Sequence, residues 1–152
     1  MSLIFVVSII GLCVIVAVVF AVMSRRARER RELALHSITP EDLHLVIASG
    51  QKAHVFDVRQ PLDLLAYSEI IPGAVRIAPK EVLANPGLLP QEEDAIVYCT
   101  CPDDKTARSI LKRAKELNFT RIKLLTGGLG AWKAKGYPVE PYKTSFHLDT
   151  AI

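Results

Sequence analysis

Leu3 to Met23 is an unbroken apolar run, carrying no charge and interrupted only by Ser8 and Gly11. Its 21 residues would span roughly 30 Å as a helix at about 1.5 Å per residue, the thickness of a bilayer's hydrocarbon core. Valine and isoleucine weaken a helix in water, but in lipid every backbone group must be paired within the segment, so helix is the expected conformation. A cleaved signal peptide competes with a retained anchor. Signals place basic residues before a shorter apolar run and end it with a small-residue cleavage site. Nothing basic precedes this run and Ser24-Arg25-Arg26 follows it, so the retained anchor is favoured.

Arg25-Arg26-Ala27-Arg28-Glu29-Arg30-Arg31 should hold its side of the span in the cytoplasm, giving a single-pass protein with a cytoplasmic C-terminal domain. Contact with anionic headgroups is a second role open to it. This stretch also accounts for the net charge of +3. Residues 24–32 hold five of the 19 basic and two of the 16 acidic residues, leaving fourteen of each sign elsewhere. A neutral domain has no electrostatic footprint for nucleic acid, which is not expected as a partner. The expected organisation is an anchor over 1–24, a basic juxtamembrane linker over 25–37, one domain over 38–140 and a tail over 141–152.

In the domain, Thr39-Pro40-Glu41-Asp42 reads as a helix start: a hydroxyl cap, proline at the first helical position, then acids in the first turn. That helix offers Leu43, Val46 and Ile47 to a core and ends at Gly50. Four apolar segments follow, at 54–58, 74–77, 95–98 and 122–125. The third, Ala95-Ile96-Val97-Tyr98, is almost wholly apolar, as suits a central strand covered on both faces. Between the last two, Ala107, Ile110, Leu111, Ala114 and Leu117 form one stripe of a helix over 104–117. Alternating strands and helices predict an α/β fold with a mainly parallel sheet and helices on both faces.

Ligand sites in such sheets lie beyond the carboxyl ends of the strands. Cys99 falls there, with Thr100-Cys101-Pro102-Asp103-Asp104 leading into the next helix. Loop amides and the helix dipole would favour a thiolate and hold an anionic adduct on it. Position alone balances this against a small buried hydrophobe. Cys13 reads as apolar filler in the anchor. Two neighbouring cysteines need two more ligands to hold zinc, and no histidine lies near them, so no metal is expected.

From residue 38 to about 140 the chain resembles the rhodanese-like family. Ile38-Thr39-Pro40-Glu41-Asp42-Leu43 is similar to its opening strand and helix, Asp57-Val58-Arg59 to its Asp-Val-Arg motif, and Ile71-Pro72-Gly73-Ala74 to its Ile-Pro-Gly-Ala segment. Val97-Tyr98-Cys99 is similar to the strand delivering its nucleophile, and Gly127–Trp132 with Gly136-Tyr137-Pro138-Val139 to its C-terminal signature. Cys-Thr-Cys-Pro resembles the loop of rhodanese-like domains in, or fused to, bacterial membrane proteins. That implies a membrane-protein partner and a bacterial inner-membrane location, with lipid contacted through residues 3–23.

The resemblance implies a sulfurtransferase or persulfide carrier without a cofactor: Cys99 takes sulfur from a sulfane donor, thiosulfate or a persulfide, and passes it to a thiol or cyanide. The implied loop and substrate-binding residues are Thr100, Cys101, Pro102, Asp103, Asp104 and Lys105. Arg59 either reaches this loop to bind an anion or pairs with a nearby acid. The family's loop usually contains a glycine and a basic residue, whereas this one has Asp103 and Asp104 with only Lys105 beyond, and a histidine commonly occupies the place of Ile70. The loop is about one residue longer than the commonest rhodanese loop. That length resembles the phosphatase and arsenate reductase branch, which needs an arginine where Lys105 stands. Cys101 could take sulfur from Cys99, resolve an oxidised Cys99, or be an unreactive thiol. A non-enzymatic binding module is the competing function.

Overall fold

A computed structural model describes residues 2–100 and 104–143, with side chains from residue 7. Cys101, Pro102, Asp103 and the tail from 144 lie outside the described residues. The chain divides into two compact units, Met1–Leu35 and His36–Ile152.

The first unit is one helix, α1 (Ser2–Leu35), with no break between the apolar run and the arginines. From Val7 on its most apolar window has a mean hydropathy of 2.8 and none of it is buried against protein. Apolar side chains ring the helix from residue 7 to 23 instead of forming a stripe. A helix hydrophobic all round is built for an apolar surrounding.

The second unit contains β1 (Ser37–Ile38), α2 (Pro40–Ala48), β2 (His54–Asp57), α3 (Pro61–Ala66), β3 (Glu69–Ile70), β4 (Val75–Arg76), α4 (Pro79–Ala84), β5 (Ala95–Tyr98), α5 (Lys105–Glu116), β6 (Ile122–Leu125), α6 (Gly128–Ala134) and β7 (Glu140–Pro141). A five-stranded sheet has the order β1-β6-β5-β2-β4, every pair parallel, so β5 is central. The α/β expectation holds, and each of the four anticipated strands is present. The antiparallel pair β3–β7 was not foreseen; two residues per strand leave no periodic pattern to read.

Local chemistry explains the starts and stops. Thr39 caps α2, its Oγ1 accepting from the Asp42 amide at 3.1 Å, with Pro40 at the first helical position. Beyond the C-cap Ser49, Gly50 takes φ +70°. On β5, Ile96 and Tyr98 face a core shared with Leu43 of α2 and with Leu129 and Trp132 of α6. Ala95 and Val97, also fully buried, point to the opposite face, where α5 packs on β6 and α4. The stripe on α5 buries Ala107, Ile110, Leu111 and Ala114. Leu117 departs from it: the helix ends at Glu116, Leu117 is 45% exposed, and Phe119 fills the core instead.

Candidate active site at the end of the central strand

Two clusters sit side by side at the carboxyl edge of the sheet, because β2 and β5 are paired in register up to Asp57 and Tyr98. The first gathers around the buried Asp57 carboxylate. Arg59 Nε donates to its Oδ1 and Oδ2 at 2.9 and 2.8 Å, and Nη2 donates to Oδ2 at 2.5 Å. The Arg59 backbone amide donates to Oδ1 at 3.0 Å. Nη1 and Nη2 also donate to the carbonyls of Tyr67 and Glu69, at 2.7 and 2.9 Å. Arg59 is wholly buried, and its donors point into its own scaffold. Of the two expectations for this residue, pairing with an acid is seen in its described contacts, while Cys101, Pro102 and Asp103 of the loop lie outside the described residues. The side chain folds back because its partner is only two residues away at the strand end.

Tyr98 joins the same cluster, donating from its hydroxyl to Asp57 Oδ2 at 3.1 Å and accepting from the Ile71 amide at 3.3 Å. Burial, and then the neighbouring Asp57 charge, push its phenol well above the usual tyrosine range. It therefore acts as a neutral donor.

The second cluster begins one residue further on. Cys99 follows β5 directly and is fully buried. Its Sγ donates to Asp104 Oδ1 at 3.8 Å. Asp104 occupies the N-cap position of α5 in the left-handed conformation, φ +50°, and its side chain makes no capping bond there. The carboxylate turns inward, and its Oδ2 accepts from the Gly127 amide at 3.1 Å. The amide of Leu129 donates to the Cys99 carbonyl at 3.2 Å. Gly128, at φ +53°, closes the arrangement: a Cβ there would stand 1.8 Å from the Cys99 carbonyl oxygen. Only glycine fits such an approach.

Thr100 Oγ1 is buried and has no hydrogen-bond partner among the described residues. Lys105 opens α5 on the solvent side, lining a shallow depression with Arg108, Ser109 and Lys112. Thus Cys99, Thr100 and Asp104 come together as a site, Lys105 stands at its rim, and Arg59 belongs to the neighbouring network. In the sequence Gly128 is only one residue of the Gly127–Trp132 segment; its contact with Cys99 joins segments 29 residues apart. The Gly-Gly pair after a strand was the one signal available.

With strand, cysteine and helix in these places, the match to known proteins falls on the same elements. Residues 39–135 match the family described as the rhodanese-like domain. The chain belongs to the rhodanese-like domain family. The "probable adenylyltransferase/sulfurtransferase MoeZ" of Mycobacterium tuberculosis is 29% identical over 105 residues, covering 67% of this chain and 26% of that protein. The chain thus spans about a quarter of the length of the curated relatives it matches. A rhodanese-related protein of Thermoplasma volcanium superposes with a TM-score of 0.57 at 26% identity, over 69% of this chain and 97% of that one. The BH2092 protein of Bacillus halodurans gives 0.61 at 26% identity, over 84% and 94%. A Lactobacillus plantarum protein gives 0.65 at 21% identity, over 78% and 98%, and shares the fold. The rhodanese-like domain suggests sulfurtransferase-type chemistry, with sulfur donors and acceptors as the general substrate class. In this rhodanese-like domain a carboxylate, that of Asp104, faces the Cys99 thiol.

Proposed function

We propose that the protein is a membrane-tethered sulfurtransferase or persulfide carrier in which Cys99 is the nucleophile. The observation that carries this is the Cys99 thiol at the mouth of β5, hydrogen-bonded to a carboxylate at 3.8 Å. Asp104 accepts the thiol proton as Cys99 attacks the sulfane sulfur of a donor. A bond forms between Sγ and that sulfur, the donor's sulfur–sulfur bond breaks, and the leaving thiolate or sulfite departs with the electron pair. An acceptor thiolate then attacks the outer sulfur and regenerates Cys99. The Thr100 hydroxyl, buried and without a hydrogen-bond partner among the described residues, stands next in sequence to Cys99 and would donate to a negative adduct on its sulfur.

Asp104 also sets the choice of donor. A carboxylate beside the sulfur repels the thiosulfate dianion more than a singly charged persulfide, so the persulfide is the preferred donor. In this reading the apolar length of α1 makes it the tether, with the arginines of 25–31 on the cytoplasmic side. The membrane then supplies or receives the sulfur through a protein partner. The test is peptide mass spectrometry of the full chain after incubation with glutathione persulfide or thiosulfate. A gain of one sulfur mass at Cys99, larger with the persulfide and absent in Cys99→Ser, is the expected result.

The full burial of Cys99 favours a second reading, a binding module that retains the fold without turnover. Absence of any mass gain with either donor would leave that reading standing and remove the first.

A further inference from the structure

The domain's formal neutrality conceals a segregation of charge. α5 carries five basic residues and one acidic residue in its twelve positions. Elsewhere in the second unit, five of the nine basic residues, Arg59, Arg121, Lys123, Lys133 and Lys135, each face a carboxylate. On α5, Lys105, Arg108 and Lys112 are exposed and form no ion pair among the described residues. Their spacing of three and four residues sets them on one face, with Ser109 between. Together these four line a depression of about 340 Å³. The face begins at Lys105, directly after Asp104, so it starts at the rim of the Cys99 site.

We propose that this face of α5 is a docking surface for anionic phospholipid headgroups, holding the rim of the cysteine site against the bilayer. The inference rests on the membrane-tether reading above. Three cations with no ion pair among the described residues, set over a shallow depression, suit phosphate groups presented on a plane. The rest of the chain favours lipid over an acidic protein. The apolar helix and its five arginines are already fitted to a bilayer with a negative surface. A tethered domain meets that surface at high effective concentration, so even weak charge contacts become occupied.

The test reconstitutes the full chain in vesicles of phosphatidylcholine alone, or with about one-third phosphatidylglycerol. Lysine acylation by a membrane-impermeant reagent is then read peptide by peptide. Lys105 and Lys112 should react about threefold or more slowly in the anionic vesicles. Lys80 and Lys143 serve as references whose rates should not change. Salt at about 0.5 M should abolish the difference by shortening the screening length. Arg108→Glu, which leaves both reporter lysines in place, should abolish it too. Equal rates in both vesicles, or uniform slowing of every lysine, overturns the proposal. So does protection by polyglutamate in neutral vesicles where the anionic vesicles give none, which would reassign the face to an acidic protein. Flotation with neutral vesicles reports separately on the tether, so failure of the anchor and failure of the docking face are distinguishable.

Discussion

The carboxyl ends of β2 and β5 lie next to each other and use the same chemical part, a buried aspartate, to opposite ends. Asp57 is matched by a guanidinium, a phenol and a backbone amide within its own scaffold. Asp104 is turned toward a thiol and a turn amide. The first arrangement fixes the end of the neighbouring strand through Tyr98 and leaves the charge balanced. The second leaves a carboxylate on the group that would do chemistry. Adjacent strand ends thus place one aspartate in a closed, charge-matched scaffold and, on the proposed function, use the other to govern reactivity.

The sharpest way to break this comparison is Arg59→Ala. Removing one partner of a wholly buried pair strands the other charge, at a cost of about 3–5 kcal/mol. A large fall in the urea midpoint, followed by Trp132 fluorescence, is expected. If the loss is below about 1 kcal/mol, the Asp57 cluster is not the fixed half of the edge.

Gly128→Ala probes the other half. The added methyl requires the turn to withdraw from the Cys99 carbonyl, costing about 1–3 kcal/mol and displacing the cysteine. Gly130→Ala, in the same helix with open space at its Cβ, is the control and should stabilise by about 0.5–1 kcal/mol.

Tyr98→Phe leaves the Ile71 amide and one Asp57 lone pair without the hydroxyl and should cost about 1–2 kcal/mol near neutral pH. Its pH signature is specific. Because folding raises the Tyr98 phenol above its ordinary value, the unfolded chain loses that proton first. The folded state's advantage is complete below about pH 10 and declines as pH rises beyond it. Thermal unfolding from pH 8 to 11 should show a steeper alkaline fall in the wild type than in Tyr98→Phe.

The smallest effect belongs to Asp104→Asn, which can still accept from Gly127 but carries no charge. Iodoacetamide should alkylate Cys99 several-fold more slowly in this variant, which lacks the group that accepts the thiol proton, measured in a Cys101→Ser background, with little change in thermal midpoint. Unchanged reactivity would erase the distinction drawn between the two aspartates.

Much of this edge was legible in the sequence. Thr39-Pro40 announced α2, the uninterrupted apolarity of Ala95–Tyr98 marked the central strand, and its position put Cys99 at the sheet's mouth. Each is a short-range signal of capping, periodicity or order along the chain. The inward turn of Asp104 was not legible, since it depends on an amide 23 residues away. Arg59 left two outcomes open because its contacts depend on burial, a property of the whole packed unit. Leu117 fitted the helical stripe, but the period gives no warning that the helix stops one residue earlier.

The 3.8 Å separation between the Cys99 sulfur and Asp104 leaves no space for another atom on that side. A second sulfur, bonded at about 2.05 Å, must either point elsewhere or push the carboxylate aside. The latter displacement would tug on the peptide at Gly127, to which the same carboxylate is bonded. The first turn of α6 would then report on the cargo, and the Gly127 amide resonance would tell loaded protein from empty.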